Sequence, residues 1–183
     1  MNEDISEQLA TQARIEHMAH FDALTGLPTR SLFLDRLSQA IALSKRASEH
    51  IALLFLDLDR FKPVNDTYGH AVGDLLLKAV AERLLACVRE SDTVARIAGD
   101  EFTVILHQIA DRASAAHAAE KIVKSLSEPF MLGQHRIQIG VSIGIALYPG
   151  DSQNEQELVK LADTAMYDAK NQSRNTYRFY SSV

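Results

Sequence analysis

The sequence is short of cysteine, of basic charge and of long apolar runs, and each shortage excludes something. Only one cysteine stands among 183 residues. That thiol, Cys87, cannot staple a fold or build a zinc site. It suits a reducing compartment, so a cytoplasmic setting is expected. No apolar run approaches the roughly 20 residues of a membrane-spanning helix. The first residues, Met1-Asn2-Glu3-Asp4, lack the basic start and apolar centre of a secretion signal. Lys plus Arg number 19 against 24 Asp plus Glu, a formal charge of −5. A mildly acidic chain is a poor tracker of a nucleic-acid backbone, and no nucleic-acid partner is expected. A small phosphate ligand stays open, because a few local cations and a metal suffice to hold one. Internal repeats and low-complexity linkers are missing as well.

What remains is globular: 46% of residues are hydrophobic and 23% charged, at a length that buries a core unaided. Residues 1–20 are polar, with Ile5, Leu9 and Ala13 near helical spacing, which predicts a solvated leader helix ahead of a domain of residues 21–183. FDALTGLPTR (Phe21–Arg30) reads as a structured turn around Gly26 and Pro28. A helix follows, with Leu32, Leu34, Leu37, Ile41 and Leu43 as its apolar positions, ending near Ser48. Ile51–Leu58 is a nearly unbroken apolar run, the pattern of a central strand covered on both faces. Gly73–Val88 is helical, with Leu76, Val80, Leu84 and Cys87 recurring at three- and four-residue steps. Two strands, Thr93–Ile97 and Phe102–Leu106, flank a tight hairpin, Ala98-Gly99-Asp100-Glu101. Ser114–Ser127 is an alanine-rich helix, Arg136–Leu147 alternates like a strand or hairpin, Glu155–Gln172 is the clearest helix, and Tyr177–Tyr180 reads as an edge strand. The order predicts an α/β (α+β) sandwich, a central mixed sheet flanked by helices.

The acids come next. Asp57 and Asp59 end the most hydrophobic strand, and residues two apart on a strand share a face. Carboxylates at the C-terminal end of a buried strand face the crevice where α/β sheets bind ligands. Spacing alone leaves metal binding open against capping of the next turn. Asp100 and Glu101 at a hairpin tip repel each other, and a divalent cation would relieve that. With a strand-end Asp they would form an oxygen-only Mg²⁺ site completed by substrate phosphates, or else an exposed turn without a role. Asn65 and Asp74 could read the Watson–Crick edge of guanine, or form a turn and cap the helix starting near Gly73. Lys170 and Arg174 would share a helix face if helical geometry persists past Gln172.

Four segments in this order resemble the GGDEF family, the diguanylate cyclases of bacterial signalling. They are FDALTGLPTR, LDLDRFKPVNDTYGHAVGD (Leu56–Asp74), RIAGDEF (Arg96–Phe102) and ADTAMYDAKNQSRN (Ala162–Asn175), and the likeness runs from about Phe21 to Phe179. The resemblance implies a palm-like nucleotide-cyclase domain that binds one GTP, works as a face-to-face homodimer and makes cyclic di-GMP with release of two pyrophosphates. It implies Mg²⁺, with Mn²⁺ as an alternative, on Asp57, Asp100 and the Leu58 carbonyl. It implies Asp100 as proton acceptor, Glu101 as the neighbouring acid and Lys62 as a charge-steadying lysine beside Phe61. Asn65 and Asp74 would read guanine, and Lys170 and Arg174 would clamp the γ-phosphate. Arg89-Glu90-Ser91-Asp92 resembles the family's RxxD inhibitory product site, with Arg89 and Asp92 as its contacts; a surface ion pair of little worth is the plainer alternative.

Two positions depart from the family pattern. Ala98 replaces the first signature glycine, and Ser173 stands where glycine often precedes Arg-Asn. A left-handed backbone at Ala98 would cost about 1–2 kcal/mol. The ending, Tyr177–Val183, resembles the lead into an EAL phosphodiesterase domain. A regulatory, non-catalytic GTP- or product-binding module attached to such a domain is therefore the rival reading, and a helix ahead of a compact domain is how an upstream sensor would transmit motion.

Overall fold

The structure, a computed structural model, describes residues 2–182. Met1 and Val183, the outer residues of the expected leader and tail, lie outside them. Helix α1 (Asn2–His20) is followed by α2 (Arg30–Ala47), strand β1 (His50–Asp59), α3 (Phe61–Tyr68), α4 (His70–Cys87), β2 (Thr93–Ala98) and β3 (Glu101–Ile109). Then come α5 (Arg112–Ser127), β4 (Phe130–Leu132), β5 (His135–Ile137), β6 (Gly140–Tyr148), α6 (Glu155–Gln172) and β7 (Thr176–Phe179). The strand order β2-β3-β1-β6-β7 puts the apolar run of β1 at the centre, and a separate β4–β5 ribbon stands beside the sheet. β1 is antiparallel to β3 and β6, whereas β7 is parallel to β6, so the sheet is mixed.

Alternation along β1 sorts its side chains into two layers. Ala52, Leu54, Leu56 and Leu58 join Leu76, Val80 and Leu84 of α4 and Ala119, Ile122 and Leu126 of α5 in one core. Ile51, Leu53 and Phe55 join Phe33 and Leu37 of α2 and Leu158, Ala162 and Met166 of α6 in the other. Each large side chain buried this way contributes about 1.5–3 kcal/mol. By the same alternation Asp57 and Asp59 continue the second face, toward α6.

Helix α1 is exposed from Asp4 to Ala19. Several expectations change. The buried stripe of α2 is Phe33, Leu37, Ala40 and Ser44, while Leu34 and Leu43 are exposed; the helix is rotated so that the aromatic side chain, not the leucine pair, fills the gap over the sheet. A short helix, α3, occupies the Asp59–Asp74 segment, entered through Arg60 in the left-handed region (φ 67°). Helix α4 begins at His70, so Asp74 lies inside the helix rather than at its cap. Arg136–Leu147 divides between two sheets: β5 pairs with β4, and β6 pairs with β1. No helix of the described residues is long and apolar enough to cross a membrane.

Candidate active site

The β2–β3 connection is a two-residue turn. Ala98 pairs with Glu101, which leaves Gly99 and Asp100 at the tip. Gly99 takes φ 46°, whereas Ala98 is not among the positive-φ residues. The alanine in the signature therefore carries no left-handed strain, and the glycine retained is the one the turn requires. Ser173, at φ −139°, likewise needs no glycine. Glu101 is the first residue of β3 rather than a tip residue, and it faces Asp57 directly across the strands. The turn is fastened to β1 by the Leu58 N–H, which donates to the Asp100 carbonyl at 3.2 Å.

Three acids thus meet at one end of the sheet. Burial first, then the Asp57 charge beside it, raises the Asp100 pKa above the ordinary aspartate value. Glu101 is raised by burial and then by Asp57, with Asp163 and Asp100 adding to the effect; Asp163 of α6 is raised by burial and by Asp57. Asp163 belongs to this field although sequence reasoning passed over it; only its spacing seven residues before Lys170 on α6 could have signalled it. Two cations answer the cluster: Lys170 Nζ lies 2.8 Å from Asp57 Oδ2, and the Arg30 charge acts on Glu101. Asp57 Oδ1 is buried and has no hydrogen-bond partner among the described residues. Among the described residues no three His, Cys, Asp or Glu side chains form a ready-made metal cluster. Two carboxylates with one orphaned oxygen match a divalent ion that draws its remaining ligands from phosphates and water.

Asp59 shares that face but is bonded elsewhere, to Ser142 and to the Asn175 backbone. Phe61 and Lys62 open α3, Phe61 half-buried against the main core and Lys62 exposed. Asn65 lies against Gly73: a methyl there would overlap its Oδ1, an atom that is buried and unpartnered among the described residues. This contact brings Asn65 beside the residue preceding Asp74, which is exposed on α4. Lys170 and Arg174 do not share a helix face. Helix α6 stops at Gln172, Arg174 is left-handed at φ 53°, and it lines a cavity of about 300 Å³ with Asp59, Arg60 and Gln138.

At the other end of β2, Arg89 and Asp92 form an ion pair at 3.2 Å with unequal exposure, 56% and 2%. Asp92 is therefore not a surface acid. It accepts from the Arg89 N–H and guanidinium and from the His107 N–H at 3.1 Å, and Arg89 also donates to the His107 carbonyl. A cavity of about 380 Å³, lined by Arg89, Asp92, His117 and Lys121 among others, opens beside the pair.

The FDALTGLPTR turn is tied to the signature hairpin. Arg96 Nη1 donates to both Asp22 oxygens at 3.1 and 3.2 Å, and its Nε donates to the Gly99 carbonyl at 2.9 Å. Burial pushes the Asp22 carboxyl up, but hydrogen bonds from Thr25 and Arg96 outweigh it and leave the pKa below the ordinary value. A depressed carboxylate contributes stability above its unfolded pKa and loses it as pH falls through the folded value. Asp22→Ala is expected to lower stability at neutral pH by about 1–3 kcal/mol. Its deficit should shrink as the medium becomes more acidic than the free aspartate pKa of about 4. Denaturant titration at neutral and acid pH checks both.

A domain with an acid-bearing hairpin at the end of a five-stranded sheet is a class with known members. The profile of the family described as "Diguanylate cyclase, GGDEF domain" matches residues 19–176, and the chain belongs to that family. It is 54% identical over 165 residues to the bifunctional diguanylate cyclase/cyclic di-GMP phosphodiesterase MucR of Pseudomonas aeruginosa, covering 90% of this chain and 24% of that one. To the diguanylate cyclase TpbB of the same species it is 44% identical over 167 residues, covering 91% of this chain and 38% of that one. The chain thus spans well under half the length of these relatives. Among solved structures, the isolated GGDEF domain of TpbB superposes with a TM-score of 0.87 at 43% identity, over 88% of this chain and 95% of that one. The coiled coil and GGDEF domain of DgcB from Caulobacter crescentus, in complex with c-di-GMP, gives 0.84 at 29% identity, over 97% and 94%.

Proposed function

We propose that the chain is a diguanylate cyclase domain that supplies half of a composite site, condensing two GTP into cyclic di-GMP. The observation that carries the proposal is the orphaned, buried Asp57 Oδ1 beside Asp100. Mg²⁺ or Mn²⁺ fits this donor set, held by Asp57, Asp100 and the Leu58 carbonyl, and when bound would neutralise charge on the transferring phosphate. Asn65 and Asp74 hold the guanine edge, with Phe61 beside them. Lys62, Lys170 and Arg174 balance the triphosphate; for this Lys170 leaves Asp57 Oδ2. In a facing homodimer the 3′-hydroxyl of one GTP attacks the α-phosphorus of the other. The new O–P bond forms as the α–β anhydride breaks, pyrophosphate leaves, and the hydroxyl proton passes to Asp100, with Glu101 next to it in the same field. A second such step closes the ring. Placing the two nucleotides in line supplies much of the rate.

The test is incubation of the chain with GTP and Mg²⁺, or Mn²⁺, and chromatographic identification of products. Cyclic di-GMP and pyrophosphate are expected. GTP binding without product would support the rival reading, a regulatory module for an attached EAL domain.

Arg89 and Asp92 are proposed to bind cyclic di-GMP as an inhibitory site, a reading supported by the adjoining cavity. Arg89→Ala should raise the product concentration for half-inhibition by about tenfold or more, the loss of one charge-assisted contact, with initial velocity unchanged. Inhibition curves identical to the parent's would dismiss it.

A further inference from the structure

Asp59 is a buried acid to which the proposed function gives no part. It is 3% exposed, and a carboxylate so placed is costly unless its oxygens are satisfied. Both are. Oδ1 accepts from the Ser142 hydroxyl at 2.8 Å, and Oδ2 accepts from the Asn175 backbone N–H at 2.8 Å. No Lys or Arg pairs with it among the described residues. The bond to Asn175 joins the end of β1 to the turn between α6 and β7, which are far apart in sequence.

That turn needs a restraint. Arg174 and Asn175 both lie in the left-handed region, at φ 53° and 46°, a conformation that costs a non-glycine residue about 1–2 kcal/mol. Helix α6 has already ended, and the β6–β7 ladder starts only at Ser142 and Thr176. The Asn175 side chain is held as well, 2.9 Å from Ser127 Oγ. It lies against Gly140, where a Cβ would stand 2.9 Å from its Oδ1. Arg174, one residue earlier, is thereby fixed at the wall of the cavity that Arg60 and Asp59 also line.

We propose that Asp59 is a positioning residue: by holding the Asn175 amide it locks the left-handed Arg174–Asn175 turn and presents the Arg174 guanidinium to the terminal phosphate of the nucleotide. The role of Asp59 rests on the reading of Arg174 as a phosphate clamp. The carboxylate two residues before it would meet the metal, while Asp59 acts on the opposite end of the triphosphate through backbone alone.

The test uses the whole chain with Asp59→Ala, Asp59→Asn and Arg174→Ala. Two readouts are followed: backbone amide exchange at Asn175, and the affinities for GTP and for GDP. Asp59→Ala should speed Asn175 exchange and weaken GTP, each by about tenfold, with GDP changed by less than about twofold. Asp59→Asn keeps an acceptor for Asn175 and can donate to the Ser142 oxygen, so it should recover most of both. Added to Arg174→Ala, Asp59→Ala should cost no further GTP affinity. Continued protection of Asn175, equal weakening of GTP and GDP, or an asparagine variant as impaired as the alanine one would each overturn the proposal. A GTP-to-GDP ratio untouched by Arg174→Ala would remove the clamp, and with it the role of Asp59, even where Asn175 exchange reports an intact brace. If Asp59→Ala does not fold, Ser142→Ala is the milder variant: both readouts should move the same way, and immobility of both refutes the role.

Discussion

Asp100→Ala should lose about 10²–10⁴-fold in conversion of GTP to cyclic di-GMP, the worth of a positioned proton acceptor, while its folded state becomes no less stable. The two effects separate because the side chain and the backbone of Asp100 do different things. The backbone carbonyl holds the turn to β1 through Leu58, and alanine keeps it. The left-handed position of the turn is Gly99, which adopts it without strain, and not Asp100. The carboxylate itself is a liability to the free protein: burial and the Asp57 charge raise its pKa. A carboxyl with a raised folded-state pKa destabilises the fold at pH above that value and ceases to do so as it protonates. Thermal denaturation in the presence of a chelator should therefore show Asp100→Ala equal to or above the parent at neutral pH, the two converging in acid. Retained turnover would take Asp100 out of the chemistry, and a sharp loss of stability would make it structural.

The parts of the fold with strong periodicity were readable from the residues. The run Ile51–Leu58 reads as a strand buried on both faces, and it is the centre of the sheet. Glu155–Gln172 matches α6 end to end, because its apolar stripe, its Asn154 cap and its dipole-matched charges agree. Elsewhere tertiary packing decided what local pattern could not. The α2 stripe depends on which side chains meet β1, and Leu34 and Leu43 have the right residue type on the wrong side. α3 is two turns long, too short for periodicity to register, and its entry through a left-handed Arg60 gives no compositional signal. The β4–β5 ribbon has three residues a side, and its strands carry no alternation long enough to count.

The site divides in a similar way. The meeting of Asp57, Asp100 and Glu101 followed from a strand end and a hairpin, both visible as motifs. The different fate of Asp59 was not visible, since alternation gives its face but not the hydrogen-bond partner 116 positions away. Nor was the ion pair between Lys170 and Asp57: charge patterning links residues along one helix, not a helix to a strand. Arg174 left the helix face because Ser173 and Arg174 leave helical geometry, a choice made by contacts beyond the helix.

Gly73→Ala should weaken GTP binding about 5–150-fold, the loss of one well-placed hydrogen-bonding group worth about 1–3 kcal/mol, with little change in thermal stability. Helix propensity alone favours the substitution by about 1 kcal/mol. The opposing effect is steric, because the added methyl overlaps Asn65 Oδ1. That oxygen is buried without a partner, so turning the amide away costs the free fold little and can return the oxygen to water. What is lost is the readiness of the amide for a base, and in the proposed site that base is guanine. Calorimetric titration with GTP and with ATP separates a lost reader from general damage: GTP should weaken toward the ATP value while ATP is unchanged. Asn65→Ala should give the same deficit, and the double substitution no more than either alone. Full GTP affinity in Gly73→Ala would mean that Asn65 does not touch the base, and the guanine specificity would then have to come from Asp74.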